Sequence, residues 1–158
     1  HMAGELFKSM SGTYLVHIPY KGSSGARTDL LGGQVDMMFD AVTTMVEQIK
    51  AGKVKAIATS GRQRSAVLPD VPSFQEQGYA LNADTWLAFV APRGLPPAVR
   101  EKLEKTLADL VATPEIREKM LANGMEPGFL DGAQRGRLIE AELPLMRATA
   151  DRANIKAD

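Results

Sequence analysis

Short β-prone segments alternate with amphipathic helical segments along the first half of this chain, and that alternation restricts the fold it can adopt. The first complete unit predicts a strand over 14–20, a helix over 23–31 capped by Ser23 or Ser24, and a strand over 35–39. The second strand is a near-continuous apolar run, which is typical of a strand covered on both faces. Strand, helix and strand in this order favour an α/β fold with a parallel sheet and right-handed crossovers.

The same patterns place the remaining elements. We predict helices over 3–10, 41–51, 73–78, 96–112, 114–123 and 131–154, and strands over 54–59 and 85–91. A capping box of Ser73 and Glu76 indicates the 73–78 helix, Asp131 is the predicted cap of the last helix, and Pro144 predicts a kink or a break within it. Near residue 84 the alternation gives way to one strand followed only by helices, so we place a boundary there.

Composition excludes several classes of function. The 158 residues include 19 basic and 19 acidic side chains and no cysteine. The balanced charge argues against nucleic acid as a partner, because phosphate binding needs clustered lysine and arginine. Without cysteine the chain has no disulfide, thiolate metal site or cysteine nucleophile. No apolar run approaches the length that crosses a bilayer.

The loop before the 23–31 helix is the best candidate for a binding site. Its residues are Tyr20, Lys21, Gly22, Ser23 and Ser24. The loop leads into a helix N-terminus, where free backbone N–H groups and the helix dipole attract anions, and Lys21 adds a point charge. Two plainer interpretations stay open: most such junctions hold only water, and Lys21 is equally well explained as a solvated turn residue.

Two aspartates lie on the second predicted strand. Asp36 opens this strand and is expected in solvent, whereas Asp40 ends it at the carboxyl edge, where open α/β sheets place their ligands. Asp40 is therefore the better candidate for a binding residue. It cannot attract a carboxylate directly, but it can orient water or accept a hydrogen bond from an ammonium or hydroxyl group.

The other chemistry-bearing residues favour plain roles. His17 lies on a predicted strand and is better explained as a packed or solvent-bonded side chain than as a catalytic one, so neither a histidine metal site nor a Ser-His-Asp triad is expected. Arg62 and Arg64 lie in a polar loop and are predicted surface charges. Ser65 lacks a partner that would activate it as a nucleophile. We therefore predict no cofactor, no metal and no enzymatic activity.

Several stretches of the chain carry a family resemblance. They are Pro19-Tyr20-Lys21-Gly22, Asp29-Leu30-Leu31-Gly32-Gly33-Gln34-Val35-Asp36, Ile49-Lys50-Ala51-Gly52-Lys53, Arg64-Ser65 with Leu68-Pro69-Asp70-Val71-Pro72, and Ala91-Pro92-Arg93-Gly94-Leu95-Pro96. In this order and spacing they resemble the Bug family, the extracytoplasmic solute receptors of tripartite tricarboxylate transporters. The resemblance covers essentially the whole chain. Near Met146, where the family often has tryptophan, the sequence departs from the pattern.

The resemblance implies a two-lobed periplasmic binding protein of type II that closes on a small organic carboxylate and passes it to a membrane permease. It also implies that this chain is only the C-terminal half of such a receptor. Residues 1–84 would form most of the second, ligand-closing lobe, and 85–158 would form a return segment, one strand plus helices, that completes the first lobe. His1-Met2 is either left by an expression vector or the family's own sequence. The expected location is the periplasm.

The residues and the resemblance agree on one carboxylate seat, which consists of Tyr20, Lys21, Gly22, Ser23, Ser24 and Asp40. A receptor that releases its cargo needs polar groups converging on carboxylate oxygens, not a nucleophile or a general base. One alternative is a self-associating module, a homo-oligomer or domain swap through the apolar faces of helices 96–112 and 131–154. The other is an enzyme of the α/β class, which the composition disfavours.

Overall fold

The computed structural model describes residues 1–155, and within them the regular secondary structure is helical. In chain order the helices are α1 (Met2–Ser11), α2 (Ser23–Leu31), α3 (Val42–Lys50), α4 (Pro97–Ala112), α5 (Pro114–Ala122) and α6 (Gly132–Arg152). Each of these confirms a predicted helix, with ends that differ by at most two residues. The last three residues of the predicted 85–158 segment lie outside the described residues.

The ends of several helices follow directly from the local sequence. α1 ends at Gly12, which adopts the left-handed conformation at φ 67°, where glycine has no steric penalty. α5 begins with Pro114 in its first turn, a position at which the missing N–H costs nothing. The Asp131 side chain accepts a 2.7 Å hydrogen bond from Gln134 N, which confirms the predicted cap of α6.

The predicted strands are not confirmed. No regular secondary structure forms at 14–20, 35–39, 54–59 or 85–91. Within the described residues the one β-type contact is an isolated parallel bridge between Thr59 and Ser73. A helix completes its hydrogen bonds inside one segment, whereas a strand needs a paired neighbour. Apart from this bridge the four segments have no paired neighbour, and the side chains of 14–20 and 85–91 are largely exposed: Tyr14 is 86% exposed and Phe89 is 85% exposed.

The hydrophobic core is small and is drawn mainly from α1, α3 and the turns after residue 60. Its buried apolar side chains are Leu6, Met45, Val46, Leu68 and Leu81. An aromatic cluster extends this core around Phe7, with ring centroids 5.4–5.9 Å away. The other rings of the cluster are Phe39, Phe74 and Tyr79. The predicted strand that ends at Phe39 thus still contributes an apolar side chain to the core.

Arg64 holds the irregular segment of residues 60–80 together. Its Nε donates to both carboxylate oxygens of Glu76, at 2.9 and 3.1 Å, and its Nη1 donates to the Pro69 carbonyl at 3.0 Å. Arg64 lies at the surface, as predicted, and is also part of a structural ion pair, since its side chain is 47% exposed. Its Nε–H is shared between the two carboxylate oxygens in a charge-assisted, bifurcated hydrogen bond.

The predicted capping box forms, but the predicted 73–78 helix does not. Ser73 N donates to Glu76 Oε2 (2.8 Å) and Glu76 N donates to Ser73 Oγ (3.2 Å). The backbone hydrogen bonds that follow join Gln77 N to Phe74 O and Gly78 N to Gln75 O. They span three residues instead of four, so the segment consists of turns.

These contacts predict an acid-sensitive stabilisation. The Ser73 backbone N–H, followed by the Arg64 guanidinium, holds the pKa of Glu76 below its ordinary value of 4.5. A lowered pKa stabilises the folded chain above pH 4.5, and this contribution is lost as the pH falls through the folded-state pKa. We expect Glu76→Gln to lower the thermal midpoint at neutral pH and to flatten its fall below pH 4.5. The exposed control Glu118→Gln should retain the full acid dependence; identical acid profiles for the two variants would refute the prediction.

The C-terminal helices pack back onto α1 and α3. Helix α6 continues through Pro144, so the predicted break does not occur. At its end, Arg152 donates to Ser9 Oγ of α1. The turn after α5 approaches α3 very closely, since a Cβ on Gly124 would lie 3.1 Å from Thr43 Cα. With φ 75° as well, this position requires glycine.

Candidate functional site

The N-terminus of α2 is formed by the predicted glycine loop. Gly22 is its N-cap and adopts φ 105°, a conformation that residues with a Cβ disfavour. The predicted cap at Ser23 or Ser24 is therefore wrong, because both serines lie inside the first turn and no side chain caps the helix. The first-turn N–H groups have no partner within the helix, so they are donors for an anion.

Asp40 lies just before α3 and contacts hydroxyl groups from both α2 and α3. Its Oδ1 accepts a 2.8 Å hydrogen bond from Ser23 Oγ, and its Oδ2 accepts one from Thr44 Oγ1 at 2.6 Å. Ser23 is the first residue of α2, and Thr44 lies in the first turn of α3. One carboxylate therefore joins the N-termini of two helices.

A second contact fixes the same pair of helices. Arg27, one turn into α2, donates from Nη1 to the backbone oxygen of Thr44 at 2.8 Å. The N-cap of α3 is Ala41 and, like the N-cap of α2, it forms no side-chain capping hydrogen bond. The positive ends of two helix dipoles thus lie side by side, with Asp40 half-buried between them. This arrangement favours an anion that reaches both first turns.

Tyr20 lies along α2 instead of at its N-terminus. Its ring packs beside Gly25, where an added Cβ would lie 3.4 Å from Tyr20 Cδ1. Its hydroxyl donates to Asp29 Oδ2 at 2.7 Å, and this hydrogen bond raises the pKa of Tyr20 above its ordinary value of 10.0. The Tyr20–Asp29 contact holds the loop against the flank of the helix.

The structure brings part of the predicted seat into direct contact. Ser23 and Asp40 are hydrogen-bonded, and Gly22 precedes them as the helix cap. Lys21 and Ser24 are exposed to solvent at the same helix start. Asp36 is also exposed, as predicted.

Sequence reasoning missed three residues of this site, which are Arg27, Asp29 and Thr44. For two of them the spacing carried a signal. Thr44 lies four residues after Asp40, and Arg27 lies four residues after Ser23, the distance of one helical turn. A hydroxyl in the first turn of a helix is within reach of a carboxylate placed just before that helix. Asp29 had no comparable signal, because its contact depends on the path of the loop.

The remaining candidates lie apart from this site. The His17 ring stacks on His1, with 3.8 Å between the ring centroids. In the part of the chain that the structure describes, no group of three or more residues could hold a metal ion. One open cavity of about 350 Å³ lies between the ends of α1 and α6, where Ser9 and Arg152 line it. The predicted seat does not line that cavity; Lys21, Gly22 and Ser24 are exposed, and Ser23 and Asp40 are half-buried.

Comparisons with known proteins place this architecture among solute-binding receptors. The structure of an R. palustris protein with adipate superposes with a TM-score of 0.87 at 29% identity, over 98% of this chain and 52% of that one. MatC from Rhodopseudomonas palustris with bound malate gives a TM-score of 0.70 at 26% identity, over 96% of this chain and 50% of that one.

Sequence comparison gives the family. Residues 1–154 match the tripartite tricarboxylate transporter family receptor, and the chain belongs to that family, which confirms the resemblance found in its motifs. The UPF0065 protein in the TAR-I ttuE-ttuC' intergenic region of Agrobacterium vitis is 37% identical over 133 residues, which are 84% of this chain and 38% of that protein. The chain thus spans half or less of the length of most of these relatives. None of the helices among residues 1–155 has the length and apolar character needed to cross a membrane.

Proposed function

We propose that this chain is part of an extracytoplasmic receptor that binds a small dicarboxylate in the periplasm and presents it to the membrane permease of a tripartite tricarboxylate transporter. Membership of the receptor family supports the solute-binding role. The adipate and malate in the related R. palustris structures support a dicarboxylate as the ligand. The proposed task is binding and release, so no covalent bond is made or broken and no cofactor takes part.

The observation that carries this proposal is the pairing of two uncapped helix N-termini. α2 and α3 begin next to each other and are joined through Asp40. The first-turn N–H groups of α2 and the dipoles of both helices suit a carboxylate, which accepts several hydrogen bonds at once; in α3 the Thr44 N–H already donates to the Ala41 carbonyl. Lys21, exposed directly before α2, supplies positive charge without fixing the ligand's orientation.

The proposal is tested by titrating the isotopically labelled chain with adipate, malate and citrate while its amide signals are followed by NMR. We expect saturable shifts at residues 22–25 and 42–44. Because the site lies on an open surface and covers little of a ligand, dissociation constants should be about 1 mM or weaker. Adipamide, which has the length of adipate but no charge, should cause no saturable shift.

Three results would count against this proposal. The absence of saturable shifts with all three acids would reject carboxylate binding at this site. Saturable shifts confined to other parts of the chain would reject the assignment of the site to α2 and α3. Micromolar binding by a monomer would contradict a site that is only partly enclosed.

A second candidate function is self-association, and the accessible surface of the chain favours it. The chain exposes 11443 Å², whereas a compact monomer of 17.1 kDa exposes about 7,700 Å². The excess of roughly 3,700 Å² for one chain exceeds the share that one partner buries in most permanent dimers, which bury about 2,000–5,000 Å² summed over both partners. In this candidate function, a second copy of the chain covers the excess exposed surface.

Strongly exposed apolar side chains in one unpaired segment support a contact there. Within 85–91, Leu87 is 71% exposed and Val90 is 93% exposed, whereas Leu103 on α4 is 48% exposed. The 85–91 segment contains no charged residue, so two copies can align there without repulsion. We therefore propose pairing through 85–91, with the predicted helix faces of 96–112 and 131–154 in a secondary role.

A further inference from the structure

Asp40 was predicted as a residue that touches the ligand, but its contacts indicate a different role. Its Oδ1 accepts a hydrogen bond from Ser23 Oγ at 2.8 Å, and its Oδ2 lies 2.6 Å from Thr44 Oγ1, a hydroxyl that also lies 2.7 Å from the Ala41 carbonyl. Its negative charge would repel a carboxylate placed nearby. Charge therefore disfavours a direct role for Asp40 in binding an organic acid, although each of its oxygens can accept a further hydrogen bond.

The same contacts fix the relative position of two helices. Ser23 and Thr44 belong to the first turns of α2 and α3, and Asp40 is the single group that both hydroxyls reach. Arg27 adds a parallel connection through the Thr44 carbonyl at 2.8 Å. A carboxylate before a helix start is also favourable toward the dipole of that helix, so Asp40 stabilises the close approach of two positive helix ends that would otherwise repel each other.

We propose that Asp40 is a positioning residue, which holds the first turns of α2 and α3 at the separation needed for one carboxylate to reach both. This inference rests on the proposed receptor function, because it assigns the role of Asp40 within that site. Thr44 and Ser23 act with it as hydroxyl partners. Asp40, which the sequence predicted to contact the ligand, thus acts on the site indirectly by positioning the two helices.

Whether Asp40→Ala strengthens or weakens adipate binding distinguishes a positioning role for Asp40 from simple charge repulsion. If Asp40 only repelled the ligand, Asp40→Ala would strengthen adipate binding. If Asp40 positions the helices, Asp40→Ala should weaken it by on the order of tenfold, because one lost charge-assisted hydrogen bond network is of that size. NMR titration with adipate measures the dissociation constant for each variant.

Thr44 provides a variant that leaves the charge of Asp40 in place. Thr44→Val keeps the shape of the side chain but removes the hydroxyl, so it should weaken adipate binding, and Thr44→Ser should restore it. Thr28→Val is the matched control, since the Thr28 hydroxyl bonds the Ser24 carbonyl along α2 itself. Stronger binding in Asp40→Ala, or equal binding in Thr44→Val and wild type, would overturn the proposal.

A second measurement separates this inference from the receptor function. Hydrogen exchange of the Arg27 and Val46 amides, the early helical bonds of α2 and α3, reports local opening without any ligand. We expect faster exchange there in Thr44→Val, with α5 unchanged. If wild type binds no carboxylate, the receptor proposal fails, and unchanged exchange in Thr44→Val shows separately that Asp40 and Thr44 do not hold the helices.

Discussion

Replacing Phe89 and Val90 together by lysine is expected to convert this chain from dimers or larger species into monomers at micromolar concentration. These two side chains are 85% and 93% exposed in a segment without regular secondary structure. An uncharged, β-prone segment with unpaired backbone groups is a template for pairing with another chain. Two lysines facing two lysines in a second copy would repel each other in that pairing. Size-exclusion chromatography with light scattering measures the mass directly.

The control for this prediction introduces two lysines on the helices instead of in the 85–91 segment. Leu103→Lys on α4 and Leu143→Lys on α6 replace exposed apolar residues and should leave the dimer largely intact if 85–91 is the contact. Loss of the dimer in the helix variant alone would instead favour the interface first expected at 96–112 and 131–154. A monomeric wild-type chain at micromolar concentration would reject self-association altogether.

Leu81→Ala is expected to cost about 2–5 kcal/mol of unfolding free energy. Leu81 is 1% exposed, and it is one of only a few fully buried side chains among the described residues. Truncation leaves a cavity that so small a core cannot refill by rearrangement. The corresponding fall in thermal midpoint is roughly 5–20 °C for a chain of this size, which circular dichroism during heating measures.

Leu87→Ala is the matched control, because it makes the same chemical change at a position that is 71% exposed. Surface truncations of this kind usually change stability by about 0.5 kcal/mol or less. Similar midpoints for the two variants would mean that Leu81 is not part of a cooperative core. If a dimer covers Leu87, the Leu87→Ala control would also lose stability. Both alanine variants are therefore measured in the Phe89→Lys, Val90→Lys background.

The sequence predicted the helices well and the strands poorly, for a physical reason. A helix such as α3 satisfies its hydrogen bonds between residues four apart, so Val42–Lys50 can be recognised from its own pattern and from Gly52 beyond its end. A strand such as 14–20 is completed by a neighbour that its own sequence does not specify. The β-prone residues are present, but within residues 1–155 the one pairing that forms is the isolated bridge between Thr59 and Ser73.

The proximity of Ser23 and Asp40 could be predicted, but their contacts could not. Gly22 and Ser23 mark a helix start, and Asp40 marks the end of the next apolar segment, so the predicted βαβ pattern brings them to one edge, and they are hydrogen-bonded although the strands themselves do not form. Which group caps the helix, and whether Asp40 faces a ligand or a hydroxyl, depends on side-chain positions that spacing along the chain does not specify. Thr44 and Arg27 became visible only when those positions were known.

The close contact at Gly124 supports the start of α3. A Cβ on Gly124 would lie only 3.1 Å from Thr43 Cα, so the turn after α5 packs directly against the first turn of that helix. α2 is joined to the same turn through the Ser23–Asp40 and Arg27–Thr44 hydrogen bonds. The position of both helix starts therefore depends on a glycine some eighty residues further along the chain.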